Sequence, residues 1–150
     1  MLKGIDPLLF PDLLKLLAEM GHDDALVLAD ANFTAHTLAA GKPVLRLPGT
    51  GMARAVQAIT SVLPLAADVP HPVACMRVSD TPQDYRSALQ REVIAQLAPG
   101  LLPGQSVEGV ERYAFYERAR AACAIVLTGE TQPFGNFILR KGVIGDNLRP

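Results

Sequence analysis

Charge is scarce in this chain. Lys, Arg, Asp and Glu make up 19% of its 150 residues, 49% are hydrophobic, and the formal net charge is only −1. Binding a phosphate backbone needs clustered Lys and Arg in excess, so a nucleic-acid partner is excluded. Arg112, Arg118, Arg120, Arg140 and Lys141 do gather late in the sequence, but Glu111, Glu117 and Glu130 lie among them. That mixture makes a solvated or paired surface rather than a basic patch. Cysteine is equally sparse: Cys75 and Cys123 both sit inside apolar runs and read as buried, reduced thiols. No apolar stretch approaches the ~20 residues of a membrane span, which excludes a membrane partner. Met-Leu-Lys-Gly gives way to Ile5, Asp6 and Pro7 instead of the apolar core of a signal peptide. A cytoplasmic protein is expected, and the low charge fraction points to surface buried between subunits.

What is present is a regular alternation of helix and strand signals in a chain of one-domain length, residues 1–150. Pro11 and Asp12 open a helix whose apolar face carries Leu13, Leu14, Leu16, Leu17 and Met20, and Gly21 ends it. Ala25-Leu26-Val27-Leu28-Ala29 is a short apolar run without alternation, the signature of a strand covered on both faces. Val44–Leu47 reads as a second strand, with a helix from Thr50 or Gly51 to Leu63, and Val73–Val78 as a third. A helix is expected to begin at Thr81-Pro82 and run to Leu97, followed by a loop over 99–109 and a short extended segment over 110–112. A helix over 113–123, a strand over 124–128, a turn over 131–135 and a strand over 137–143 complete the chain. The expectation is a single α/β domain, a mostly parallel central sheet flanked by helices on both faces.

Two titratable residues stand at opposite ends of the first strand. His22 follows the helix-ending glycine, and Asp30 terminates the apolar run. An imidazole, with an ordinary pKa near 6.5, suits proton transfer at neutral pH; the same residue could simply bind the last helix carbonyls. A strand-end carboxylate in an α/β sheet can bind ligand hydroxyls or cap a turn through Asn32. His36 could line a pocket at that strand end or face water, and His71, between Pro70 and Pro72, reads as a loop residue. Gly49-Thr50-Gly51 resembles a phosphate-binding turn but lacks both the third Rossmann glycine and the Lys-Ser/Thr pair of a P-loop, so a tight turn accounts for it. Phe134, Gly135 and Asn136 set an aromatic, a close-approach backbone and an amide in series, which suits a sugar and would equally suit a plain turn.

Longer blocks carry a resemblance. Met-Leu-Lys-Gly-Ile-Asp-Pro-Leu-Leu, then Pro-Asp-Leu-Leu-Lys-Leu-Leu-Ala-Glu-Met-Gly-His, open the chain. Arg-Tyr-Ala-Phe-Tyr-Glu-Arg-Ala from Arg112, and Phe-Gly-Asn with Leu-Arg-Lys-Gly-Val, follow near its end. Together these resemble the L-fucose mutarotase / D-ribose pyranase family over nearly the whole chain, and the Phe-Tyr-Glu-Arg block favours the fucose branch. The resemblance implies exchange of the anomers of a free monosaccharide, without cofactor or metal, in ring-shaped decamers with sites shared between neighbouring subunits. It implies a catalytic role for His22 and sugar binding by Asp30, Arg112, Phe134, Gly135 and Asn136. Phe134 stands where the family usually has tyrosine, and Asn32 and Thr34 where the fucose branch usually has His and Pro.

Opening a sugar ring requires a proton delivered to the ring oxygen and one removed from the anomeric hydroxyl, which a group titrating near neutrality performs in both directions. His22 and Asp30 are eight residues apart, roughly 26 Å if fully extended. They meet on one sugar only if the chain doubles back or a second subunit supplies one of them. A non-catalytic monosaccharide-binding accessory protein is the competing reading, and a nucleotide-binding domain built on Gly49–Gly51 a remoter one.

Overall fold

Side chains alternate across a strand, so an apolar run with no polar alternation must bury both its faces. β1 (Ala25–Ala29) does so. Leu26 and Leu28 join one core with Leu13, Leu17, Met52, Ile59 and Val93, and Val27 and Ala29 join a second with Leu38, Phe115 and Ala119. The computed structural model describes residues 1–145. It is a six-stranded sheet between two helical layers. α1 (Pro11–Glu19), α3 (Met52–Thr60) and α4 (Ala88–Leu97) contribute to the first core, and α2 (Ala35–Ala39) and α5 (Arg112–Ala121) to the second. No helix among the described residues is long and apolar enough to cross a membrane.

The remaining strands are β2 (Val44–Leu47), β3 (Val73–Met76), β4 (Val107–Val110), β5 (Ala124–Thr128) and β6 (Phe137–Arg140), in spatial order β2-β5-β1-β6-β3-β4. β1, β2 and β5 pair in parallel, as do β3 and β4; β6 alone is antiparallel, between β1 and β3. Its reversed direction sets Phe137 beside Leu28 of β1 and Cys75 of β3. The turn entering β6 therefore lies against the carboxyl ends of β1 and β3. This arrangement builds the cleft described below.

Several elements differ from those expected. Thr81-Pro82 does not open α4; the helix starts at Ala88, where Ser87 and Gln90 form a reciprocal capping box. The stretch ending at Gly109 is not all loop, because Val107-Glu-Gly-Val pairs in parallel with β3 despite its glycine and neighbouring prolines. α2 was not anticipated: five residues are too few to show helical periodicity, and the left-handed Ala40 and Gly41 stop it. Strand β3 ends at Met76, α5 spans Arg112–Ala121 and β6 ends at Arg140, one to three residues from the expected limits at several of these ends.

The Gly49-Thr50-Gly51 turn has a structural occupation. Glu130 Oε2 accepts from the Met52 N–H at 3.2 Å, so a carboxylate already holds the α3 N-terminus that a phosphate would seek. Gly129 packs against this turn, donating to Thr50 O at 2.8 Å, and a Cβ on it would meet Gly49 N at 2.6 Å. Gly129→Ala is expected to destabilise the fold by about 1–3 kcal/mol through that overpacking. A lower urea midpoint at unchanged slope checks it.

Candidate functional site

Four chain segments converge at the carboxyl edge of β1 and β3. Asp30 directly follows β1 and is only 3% exposed, as is Asn136 in the turn before β6. Asn136 Oδ1 accepts from the Asp30 N–H at 2.8 Å, its backbone carbonyl accepts from Met76 N–H at 3.0 Å, and Asp30 Oδ1 accepts from the Asn32 N–H at 3.0 Å. Burial pushes the Asp30 carboxyl above its ordinary range, and hydrogen bonds from Asn32, Asn136 and Gly135 pull part of the way back. Asp30 thus both caps its turn and presents a carboxyl at a cleft.

That cleft, about 260 Å³, is lined by Asp30, Asn32, Phe33, Met76, Arg112, Tyr116, Pro133, Phe134 and Asn136. Arg112 begins α5, which follows β4 and is capped by the Glu111 carboxylate. Its Nε donates to Tyr116 Oη at 3.0 Å, and its guanidinium lies 5.4 and 5.5 Å from the Tyr113 and Tyr116 ring centres. Phe33 meets the Tyr116 ring edge-to-face at 5.8 Å. Gly135 is buried behind Phe134, where a Cβ would come within 2.8 Å of Leu89 Cδ2. The result is a small pocket with an aromatic wall, one acid, one guanidinium and one amide. Such a set holds a polyhydroxylated ring by stacking and paired hydrogen bonds.

Five of the six sequence-proposed site residues, Asp30, Arg112, Phe134, Gly135 and Asn136, gather here; His22 does not. It lies beyond the opposite end of β1, and the strand alone spans about 13 Å. There Nε2 of His22 stands 3.0 Å from Asp68 Oδ2, with the two side chains 49% and 59% exposed. The histidine holds the Asp68 carboxyl below its ordinary range. The chain does turn at Asp23, which has φ 67° and donates to Lys141 O, but this turn does not carry His22 to the Asp30 cleft. His36 is exposed on α2 and lies outside the cleft, so it does not line a pocket at that strand end. His71 Nδ1 is 3.2 Å from Ser106 O, a loop contact.

Sequence reasoning missed Tyr116 and Asp68. Tyr116 is four residues beyond Arg112 on α5 and so shares its face, a spacing legible in the sequence. Asp68 is brought to His22 only by the fold. A larger cleft of about 510 Å³ opens on the sheet face near Asp23, His71, Glu108, Arg118, Cys123 and Arg140. Its guanidinium groups are already engaged, Arg140 with Asp23 at 2.6 Å and Arg118 with Glu108 at 2.8 Å. With Arg120 beside Glu117 as well, these three late arginines are each engaged with a carboxylate. Cys75 is buried and Cys123 half-buried, both free, and burial pushes their thiols up.

Residues 3–144 match the model of the RbsD / FucU transport protein family. The chain is 45% identical over 143 residues to the L-fucose mutarotase of Glaesserella parasuis serovar 5, covering 95% of this chain and 96% of that one. It is 42% identical over 150 residues to the human fucose mutarotase, covering 97% and 96%. The crystal structure of the Streptococcus pneumoniae fucose mutarotase in complex with L-fucose superposes with a TM-score of 0.86 at 35% identity, covering 96% of this chain and all of that one. With a family match spanning nearly all of its length and relatives this similar, the chain belongs to the RbsD / FucU transport protein family.

Proposed function

We propose that the protein is a cofactor-free sugar mutarotase that interconverts the α and β anomers of L-fucose or a closely related monosaccharide in the cytoplasm. The observation that carries this reading is the cleft at the end of β1, where a buried carboxyl, a guanidinium, an amide and an aromatic face converge in a space sized for one sugar ring. Relatives named for fucose mutarotation, alike over nearly their whole length, support the substrate class. The relatives named for mutarotation favour this reading over a non-catalytic sugar-binding protein.

In this reading Asp30 and Asn136 accept and donate hydrogen bonds to ring hydroxyls, Arg112 and Tyr116 bind from α5, and Phe134 covers the C–H face. His22 exchanges the proton between the ring oxygen and the anomeric hydroxyl. Protonating the ring oxygen while the anomeric hydroxyl loses its proton breaks the bond from the anomeric carbon to the ring oxygen and leaves the open aldehyde. Rotation about the adjacent carbon–carbon bond and reclosure, with the proton movements reversed, give the other anomer. No net atom or electron is gained.

Because β1 separates His22 from the cleft, the reading requires His22 of a second copy to reach it, in an oligomer whose sites are shared, the decamer of the resemblance being the expected assembly. Leu2, Tyr113, Val143 and Ile144 leave apolar surface exposed, which suits burial between copies. Asp68 then orients the imidazole that crosses the interface. NMR magnetisation exchange between the anomeric protons of free sugars, with and without protein, tests the activity. Faster exchange for L-fucose is expected, and no acceleration for any sugar in a panel would overturn the reading.

Phe134 offers stacking without a hydroxyl. Phe134→Tyr is expected to lower KM for L-fucose by about fivefold, the value of one added hydrogen bond near 1 kcal/mol. Steady-state polarimetry checks it; an unchanged or raised KM would show that the ring edge does not face a sugar hydroxyl.

A further inference from the structure

We infer that Gln90 is a positioning residue for the sugar cleft, clamping its two walls together through a buried side-chain amide; this rests on the mutarotase reading above. Among the described residues the buried polar side chains are Asp30, Gln90, Thr128 and Asn136, and Gln90 is fully buried. Asp30 and Asn136 line the cleft themselves, and Thr128 bonds the Ala29 carbonyl on the neighbouring strand. Gln90 comes from α4 and does not line the cleft.

All of its hydrogen-bonding groups are engaged. Oε1 accepts from the Ser87 N–H at 3.1 Å and completes the capping box of α4. Nε2 donates to the Met76 carbonyl at 2.7 Å and to the Phe134 carbonyl at 2.9 Å. The cap alone does not explain the amide. Glutamate serves the third helical position of a capping box as well as glutamine, since only an acceptor oxygen is needed there. What glutamate lacks is the pair of N–H donors that face the two carbonyls. The sequence therefore uses the one side chain that caps the helix and clamps the walls at once.

Both carbonyls belong to cleft-lining residues. Met76 ends β3, and Phe134 lies in the turn that leads into β6. Phe134 also adopts φ 60°, a left-handed conformation that a bulky side chain holds only when its surroundings over-determine it. The Gln90 bond to its carbonyl and the Leu89 contact beneath Gly135 supply that constraint from α4. The direction of the Phe134 ring, and the distance between it and Met76, thus depend on a helix that touches no sugar.

Gln90→Glu tests the clamp, because it keeps the cap and replaces the two donors with an acceptor. At pH 8 the calorimetric Kd for L-fucose is expected to rise about tenfold, with KM following and kcat within about twofold. A buried glutamate titrates high, and its protonated form regains one O–H donor, so lowering the pH to 5 should recover part of the loss relative to wild type at the same pH. Ser87→Ala, which weakens the cap and leaves the clamp, should lower the melting temperature with Kd within twofold. An unchanged Kd in Gln90→Glu, a loss equal at both pH values, or an equal loss in Ser87→Ala would each overturn the clamp. Should Gln90→Glu fail to fold, the wild-type Gln90 side-chain amide signals decide: they must shift on adding L-fucose, and unmoved signals would overturn it. Wild-type protein that neither binds nor exchanges L-fucose would instead sink the functional reading.

Discussion

His22→Ala is expected to slow L-fucose anomer exchange by about 10²- to 10⁴-fold while leaving L-fucose affinity within about threefold. The split follows from where the residue stands. His22 contributes nothing to the cleft of its own chain, in which Asp30, Arg112, Phe134 and Asn136 can hold a sugar without it. It is an exposed imidazole with a carboxylate partner, Asp68, at 3.0 Å. In the proposed mechanism a proton carrier of that kind acts in the ring-opening step, where a proton must reach one oxygen as another leaves its neighbour. Removing it should cost the transition state and spare the ground-state complex. Anomer exchange read by NMR saturation transfer, beside a calorimetric titration with L-fucose, separates the two. Exchange unaffected by the substitution would remove His22 from the chemistry. A large loss of affinity instead would make it a binding residue.

Much of the candidate cleft was legible because strand-end residues follow from strand position. The run Ala25–Ala29 had to be a central strand, and a carboxylate directly after it had to sit at the sheet's carboxyl edge. Phe134-Gly135-Asn136, an aromatic, a glycine and an amide before another strand, was readable as a binding turn. Its proximity to Asp30 was not readable, since that required β6 to insert antiparallel between β1 and β3. The start of α4 misled for a physical reason: Thr81-Pro82 has the composition of a helix start, yet Ser87 with Gln90 makes the reciprocal bonds. β4 was hidden because its pairing with β3, and not its own composition, makes it a strand. Ser87 and Gln90 carry the local signature of a helix cap, but nothing local marks the distant partners of Asp68 or of the Gln90 amide. Partners distant in sequence are set by topology, and periodicity is silent about them.

Asp30→Asn is expected to weaken L-fucose binding by more than about tenfold, because a carboxylate bound to a sugar hydroxyl makes a charge-assisted hydrogen bond that an amide does not. The fold should lose nothing at neutral pH. Burial holds the Asp30 carboxyl above its unfolded value, so its ionisation works against the native state. The native state binds that proton more tightly, and stability tied to it is present below the unfolded pKa and declines as pH rises through the folded one. A neutral isostere removes that decline. Urea midpoints for Asp30→Asn should therefore equal or exceed wild type at pH 8 and converge with it near pH 4. A variant weakened in sugar binding yet no less stable is the trade expected of a buried functional carboxyl. The same variant tests whether sites are shared. Mixed by co-expression with His22→Ala and assayed at L-fucose well below the wild-type Kd, where each variant alone is slowed at least about tenfold, it should restore roughly a quarter of wild-type exchange, the fraction of randomly assembled interfaces that unite an intact His22 with an intact Asp30. Within one chain the two residues lie beyond opposite ends of β1 and never meet on a sugar, so a mixture no faster than its components would break the shared site.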